Sequence, residues 1–161
     1  MFRLFGRGNN VDKVLLLGLD CASPQLVFEQ FQDDLPTLSA LMQGGTWGEL
    51  TSTVPCITVP AWACMTTGRD PGVLGVYGFR NRSAQDYDSL AVADANAIRH
   101  PRLWNILGDK SKTSLIMNVP QTYPVRPLNG HMVSAFMTPD TSAQFAYPAI
   151  FKAEALKQVP D

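Results

Sequence analysis

Residues 53–78 read T-V-P-C-I-T-V-P-A-W-A-C-M-T-T-G-R-D-P-G-V-L-G-V-Y-G, and this stretch carries the strongest local structural signals in the chain. Pro60 is favoured in the first turn of a helix because the amide hydrogens of that turn have no intrahelical partner. The pattern therefore predicts a helix over residues 59–67, with Thr58 as its N-cap. Gly68 ends this helix, and a turn through Gly72 follows.

Thr58 has two interpretations at the start of this helix. In the first it is an ordinary cap that stabilises the helix by about 1 kcal/mol. In the second its hydroxyl is a nucleophile that a bound metal activates, while the backbone N–H groups and the helix dipole hold a phosphoryl group. The second interpretation requires an acidic partner elsewhere in the chain.

Asp20 is the candidate for that partner. It directly follows the apolar run Val14–Leu19, whose length and composition predict a strand buried on both faces, as in a parallel sheet. Open α/β sheets bind ligands at the carboxyl ends of their strands, and a carboxylate there favours a metal or a charged partner. The alternative for Asp20 is a helix cap or a turn residue.

The rest of the pattern predicts alternating helices and strands. A helix after Ser23-Pro24, a second helix from Pro36 to Gly44-Gly45 and a strand over Thr46–Thr51 complete a β-α-β start with parallel pairing. A polar loop is expected over 80–99. Further elements are predicted at 101–107 (helix, with Leu103, Trp104 and Leu107 inward), 113–119 and 130–136 (strands) and 148–157 (helix). Between the last two strands lies a proline-rich loop whose Tyr123 and Arg126 are either substrate-facing or ordinary surface residues.

Composition sets limits on function and location. The 161 residues are 45% hydrophobic and 17% charged, which is typical of a globular domain, and 13 basic against 14 acidic residues give a net charge of −1. This balance gives no support for a nucleic acid or anionic membrane partner. No signal peptide or membrane span is visible, so the cytoplasm is the expected location. Cys21, Cys56 and Cys64 have no CxxC spacing, and we interpret Cys21 and Cys56 as packing residues.

Four motifs in order resemble the type I phosphodiesterase/nucleotide pyrophosphatase family of the alkaline phosphatase superfamily. They are G-L-D-C at 18–21, P-C-I-T-V-P-A-W at 55–62, T-G-R-D-P-G at 67–72 and G-V-Y-G-F at 75–79. Two later stretches, at 118–130 and 134–140, resemble the phosphohydrolase and phosphomutase branch. The resemblance implies an alkaline-phosphatase-like α/β domain over 11–161, preceded by a tail at 1–10. Its doubly wound, mostly parallel sheet would have helices on both faces and would be incomplete in 161 residues.

The resemblance also implies a site and a reaction. Asp20 matches a ligand of one of two divalent metal ions, usually zinc, with manganese or iron as alternatives. Thr58 matches the metal-bound nucleophile that forms a phospho-threonine intermediate with a small-molecule phosphate ester or nucleotide. A phosphate-binding Asn of the family falls on Phe79 here, and its role is not transferred to the nearby Asn81.

The remaining Asp and His ligands of the family are expected beyond Asp161. The chain has two histidines, His100 and His131, and neither has metal-ligand spacing, so we interpret both as ordinary surface or hydrogen-bonded residues.

Three functions remain open from the sequence. The first is a metal-dependent hydrolase of phosphodiesters, nucleotide pyrophosphates or phosphomonoesters. The second is a phosphomutase or phosphotransferase on the same scaffold; a sulfatase is disfavoured because its signature requires Arg where Trp62 stands. The third is a non-catalytic fragment. The physiological substrate and the oligomeric state are left open.

The short ligand set gives a first prediction. Because Asp20 and Thr58 are the only ligands that match, the 161-residue chain is expected to bind zinc weakly and to hydrolyse p-nitrophenyl phosphate esters negligibly. Equilibrium dialysis with zinc and a release assay for p-nitrophenol measure the two quantities. Tight binding of zinc in a stoichiometric amount would contradict the expectation.

Overall fold

A computed structural model describes residues 13–82 and 88–158. The chain forms two compact units that divide between Leu50 and Thr51. The tail predicted at residues 1–10 lies outside the described residues, as does part of the predicted polar loop, at 83–87. Within the described ranges, no helix has both the length and the apolar character needed to cross a membrane.

The first unit contains the two predicted helices. One is a π-helical segment, Gln25–Gln30, and the other is α1, Pro36–Gly44, in which Pro36 occupies the first turn as expected. The rings of Phe28 and Trp47 pack with their centroids 4.8 Å apart. Both helix predictions in this unit are confirmed, with the first helix wound more loosely than an α-helix.

The two strands predicted in the first unit are wrong. No strand forms over residues 14–19 or 46–51. The apolar side chains there are exposed, from Leu19 at 54% to Leu50 at 91%. A strand buried on both faces requires neighbouring strands and covering helices, which an apolar run cannot specify by itself. The β-α-β start is therefore not seen in the described residues.

In the second unit, helix α2 spans Thr58–Thr67. Gly68 ends it in the left-handed conformation (φ 66°) and donates its N–H to the Cys64 carbonyl at 2.8 Å, as the glycine signal predicted. The start differs by one residue, because the N-cap is Ile57 and Thr58 is the first helical residue. The predicted turn after Gly68 is partly helical: α3 spans Pro71–Leu74 and is capped by the Asp70 carboxylate.

Two small sheets are present in the described part of this unit. Strands β1 (Arg80–Arg82) and β2 (Leu90–Val92) pair antiparallel within the region predicted as a polar loop. Strand β3 (Ser114–Val119) pairs parallel with β4 (Gly130–Ser134), and β4 pairs antiparallel with β5 (Ala146–Tyr147). The β3 and β4 predictions are confirmed. However, β3 is not fully buried, since Leu115 and Met117 are each 63% exposed.

Two of the remaining helical segments confirm predictions: α4 spans Leu103–Asp109 and α5 spans Phe151–Gln158. A 3₁₀ helix, Ala95–Ala97, lies within the region predicted as a polar loop. In α4, Trp104 is buried as predicted, whereas Leu103 is 44% exposed and does not point inward. The chain enters α4 through a hydrogen bond in which the N–H of Arg102 donates to Asn105 Oδ1 at 2.9 Å.

The core beneath α2 is formed by five buried apolar side chains, with Leu74 and Ala97 packed against them. These five residues are Val59, Ala63, Val76, Ala93 and Ile98. Val59 and Ala63 lie four positions apart and therefore share one face of the helix. Burial of this face thus holds the start of α2 against the core.

A short segment after β3, Gln121–Tyr123, connects four parts of the second unit by hydrogen bonds. The Gln121 side chain donates to the Ala93 carbonyl at 3.0 Å, and the Gln121 carbonyl accepts from Arg102 Nη2 at 2.6 Å. Thr122 Oγ1 accepts from the N–H of Ala135 at 3.2 Å, and the Tyr123 carbonyl accepts from the N–H of Ala95 at 2.8 Å. This segment is called the strand-end linker below.

The fold is therefore a mixed α/β arrangement with small sheets. The doubly wound, mostly parallel sheet that the sequence predicted is not seen in the described residues, whose parallel pairing consists of β3 with β4. The helices that carry or adjoin the family motifs are present, so the local architecture around Thr58 can still be described.

Gly130 gives a prediction for stability. Its φ is +141°, and a Cβ placed there would lie 1.9 Å from the Ser114 carbonyl oxygen across the parallel ladder. Gly130→Ala is expected to lower the free energy of unfolding by about 2–4 kcal/mol, because it adds both backbone strain and a backbone clash. Denaturant unfolding followed by circular dichroism measures the change.

Gly108→Ala is the matched control. Gly108 lies within α4, and an added Cβ would meet its nearest neighbour, Asn129 Cβ, at an ordinary 3.4 Å. Alanine is the better helix former by about 1 kcal/mol, so this variant is expected to be neutral or slightly stabilised. Equal unfolding midpoints for the two variants would contradict the described register of β3 and β4.

Candidate functional site

Thr58 begins helix α2 with its side chain partly exposed. The two residues after it, Val59 and Pro60, are fully buried, so the first turn of the helix is fixed against the core. In the loop before the helix, Thr53 Oγ1 donates to the Pro55 carbonyl at 2.9 Å. A hydroxyl is thereby presented from a well-anchored helix terminus.

The start of α2 carries partial positive charge. The N–H of Ala61 donates to the Ile57 carbonyl at 3.1 Å, which closes the first turn of the helix. The helix dipole places the positive charge at this end. In the first turn, Pro60 has no N–H and Val59 is fully buried.

Asp20 lies in the first unit, in an exposed turn. Its Oδ1 accepts a hydrogen bond from the N–H of Cys21 at 3.1 Å, and Cys21 has a positive φ of 60°. This is the geometry of a turn residue, one of the two alternatives that the sequence left open. The role of Asp20 as a metal ligand stays a prediction, as does the nucleophilic role of Thr58.

The metal ligand set of the family is incomplete in the described residues. Across 13–82 and 88–158, no three His, Cys, Asp or Glu side chains come together as a group that could hold a metal ion. His131 is exposed and stacks against Phe151 with ring centroids 4.8 Å apart. These residues by themselves do not fit a two-metal centre.

The side chain of Asn81, in the region after α3, is hydrogen-bonded to the backbone. The Asn81 side chain accepts from the N–H of Tyr77 at 2.8 Å and donates to the Gly78 carbonyl at 3.0 Å. Both of its polar groups therefore stabilise the turn before β1. Phe79 packs near Phe136, with ring centroids 6.0 Å apart.

The other end of α2 has a perturbed thiol. Partial burial raises the pKa of the Cys64 thiol, and the negative charge of Asp70 raises it further. Both effects disfavour the thiolate. Cys64 is therefore a half-buried residue with low nucleophilicity at neutral pH. The packing role expected for Cys21 and Cys56 is wrong, because both side chains are exposed.

The second unit also contains a cavity of about 310 Å³ that the sequence did not predict as a site. Its polar lining includes His100, Arg102, Gln121, Thr122 and Arg126. Burial, followed by repulsion from Arg126, lowers the pKa of Arg102 to about 10. For Arg126 the sequence left substrate contact open, and His100 was interpreted as an ordinary residue. No local pattern marks Arg102 or Gln121 as a buried polar group.

The fold and the Thr58 helix together define a mixed α/β protein with a hydroxyl at an anchored helix terminus. The family model described as "Type I phosphodiesterase / nucleotide pyrophosphatase" matches residues 14–158. The chain belongs to this family of phosphodiesterase-type phosphoric ester hydrolases, as its motifs had indicated. Searches of curated proteins and of solved structures found no significant match.

The Cys64 and Asp70 pair gives a prediction on reactivity. Asp70→Asn keeps a side-chain oxygen that can cap α3 but removes the negative charge, so the pKa of Cys64 is expected to fall. Alkylation of Cys64 by iodoacetamide, measured by mass spectrometry over a range of pH values, should therefore begin at lower pH in this variant.

Asp94→Asn serves as the control because Asp94 also caps a helical segment, Ala95–Ala97, and is not among the charges that perturb Cys64. It is expected to leave the alkylation profile unchanged. Identical profiles for Asp70→Asn and the unmodified chain would contradict the assigned electrostatic contact.

Proposed function

We propose that this protein is a metal-dependent hydrolase of phosphate esters, with Thr58 as the nucleophile and Asp20 as a metal ligand. The observation that carries the proposal is the position of Thr58 within the matched family region, at the first residue of a helix held by the buried Val59 and Pro60. The substrate would be a small phosphodiester, nucleotide pyrophosphate or phosphomonoester.

The chain's own contribution to this reaction is to position the ester. The positive end of the α2 dipole would attract the non-bridging oxygens of the phosphoryl group, which places phosphorus near the Thr58 hydroxyl. Attack by that hydroxyl would form a phosphoester on Thr58 and expel the leaving group, which is an alcohol from an ester or a phosphate from a pyrophosphate. Water would then release phosphate or a phosphomonoester and restore the hydroxyl.

The family is generally metal-dependent, and the proposal includes two divalent ions with zinc as the favoured metal. The described residues do not supply a complete ligand set.

A phosphomutase or phosphotransferase is the second candidate, because it would use the same phosphorylated Thr58. The stretches at 118–130 and 134–140 favour it, since they resemble the branch that includes phosphomutases. Product analysis separates the two reactions. A hydrolase releases free phosphate when a hydroxylated acceptor is present, whereas a mutase transfers the phosphoryl group and releases little.

The test of the proposal is Thr58→Ala in the full-length protein, assayed with bis(p-nitrophenyl) phosphate and p-nitrophenyl phosphate. Loss of the nucleophile is expected to lower kcat by at least about 1,000-fold while bound metal, measured by atomic emission, is retained. Thr58→Ser keeps a hydroxyl and is expected to retain measurable turnover.

Thr67→Ala is the matched control on the same helix. The Thr67 hydroxyl donates to the Ala63 carbonyl at 2.7 Å near the C-terminal end of α2, so its loss should change kcat by no more than a few-fold. Unchanged turnover in Thr58→Ala, or an equal loss in Thr67→Ala, would refute the nucleophilic role.

A further inference from the structure

The cavity of the second unit lies at the carboxyl end of β3. Gln121 and Thr122, which follow that strand, line it together with Arg102, Arg126 and Trp104. Ligands of α/β proteins bind preferentially at the carboxyl ends of parallel strands, and β3 is parallel to β4. The location is therefore one where a ligand site is expected.

The cavity is cationic. Arg102 is buried, at 6% exposure, and Arg126 lies at the exposed rim. The ion pairs within the described residues do not include either arginine. Arg102 Nη2 donates to the Gln121 carbonyl, and Arg126 donates to the Ile98 carbonyl at 3.4 Å and to Asn96 Oδ1 at 3.1 Å.

These bonds use neutral acceptors and leave the positive charge of both guanidinium groups uncompensated. A guanidinium has more N–H groups than one such bond occupies. The Arg102 Cζ also lies over the Trp104 ring, 5.3 Å from the ring centre, which is a cation–π contact. Two positive groups around one cavity whose lining has no carboxylate favour an anion.

Gln121 holds the buried arginine in place beside the cavity. Its carbonyl accepts from Arg102 Nη2 at 2.6 Å, and its side-chain Nε2 donates to the Ala93 carbonyl at 3.0 Å. Its Oε1 has no hydrogen-bond partner among the described residues, but it is buried and therefore out of reach of a molecule in the cavity. The groups that can bind an anion in the cavity are therefore the two arginines.

We propose that this cavity binds a small organic anion, a phosphate or a carboxylate. Arg102 and Arg126 bind the anionic group. A volume of about 310 Å³ is at the small end of ligand sites and suits a molecule of this size. The site is distinct from Thr58, and the inference does not rest on the proposed hydrolysis.

The test measures binding by isothermal titration calorimetry in the presence of EDTA, so that no metal site contributes. The probes are the anions glycerol 3-phosphate and glycerate, with glycerol and glyceramide as their neutral counterparts. At least one anionic probe is expected to bind about tenfold or more tightly than its neutral counterpart, and the better of the two anions identifies the anionic group. Equal affinities within both pairs would refute the role of the two arginines.

Arg126→Gln tests the cationic part at an exposed position and keeps a side-chain N–H donor there. Loss of a charged donor is expected to raise the Kd of the best probe about tenfold or more, and Arg126→Lys should recover part of that affinity. Arg99→Gln removes the same charge from an exposed residue outside the cavity and should change the Kd less than about twofold. Thr58→Ala should have no effect.

Three results would overturn the inference. They are an absence of binding for all four probes, equal weakening by Arg126→Gln and Arg99→Gln, and loss of binding in Thr58→Ala. The last result would place the probes at the helix terminus. The proposed hydrolysis is tested by kcat, and this site is tested by binding without metal. A negative result in one test therefore does not contradict the other proposal.

Discussion

The second unit depends on the hydrogen bonds of the strand-end linker. Gln121 has a positive φ of 60°, which is unfavourable for a residue with a side chain, and it is held there by bonds to Ala93 and Arg102. Because Ala93 belongs to the core under α2 and Arg102 begins the approach to α4, one residue joins the Thr58 helix, the parallel strands and the cavity. Loss of its side-chain amide would leave a buried carbonyl unpaired as well as remove a connection.

Features encoded by neighbouring residues were predicted well from the sequence. Gly68 ended α2 at the expected residue because only a few residue types adopt the left-handed conformation at low cost, and Pro36 started α1 because its fixed φ suits the first helical turn. Strands β3 and β4 were also found, since their apolar runs are bounded by Pro and Gly. Each of these signals acts over a few residues.

Features that depend on distant partners were not predicted. The run at 14–19 has the composition of a buried strand, but pairing is a property of two segments, and its neighbours cannot be read from the run itself. The cavity was not predicted from the sequence for a similar reason. Arg102 and Gln121 are polar, so pattern reasoning places them at the surface, and their burial follows from hydrogen bonds to residues 19 and 28 positions away. Thr58 lies at the start of α2, but it is the first helical residue and not the N-cap that the sequence predicted.

The exposed leucines at 14–19 have a consequence for the behaviour of the chain in solution. This uncharged run has side chains 54–75% exposed and forms no strand with any other described residue, so it offers apolar surface to a molecule that can add a β-strand. Such segments template cross-β contacts between copies unless another strand covers them. Concentrated preparations of the chain would therefore tend toward self-association through its N-terminal unit, and partners that supply a strand would improve its solubility.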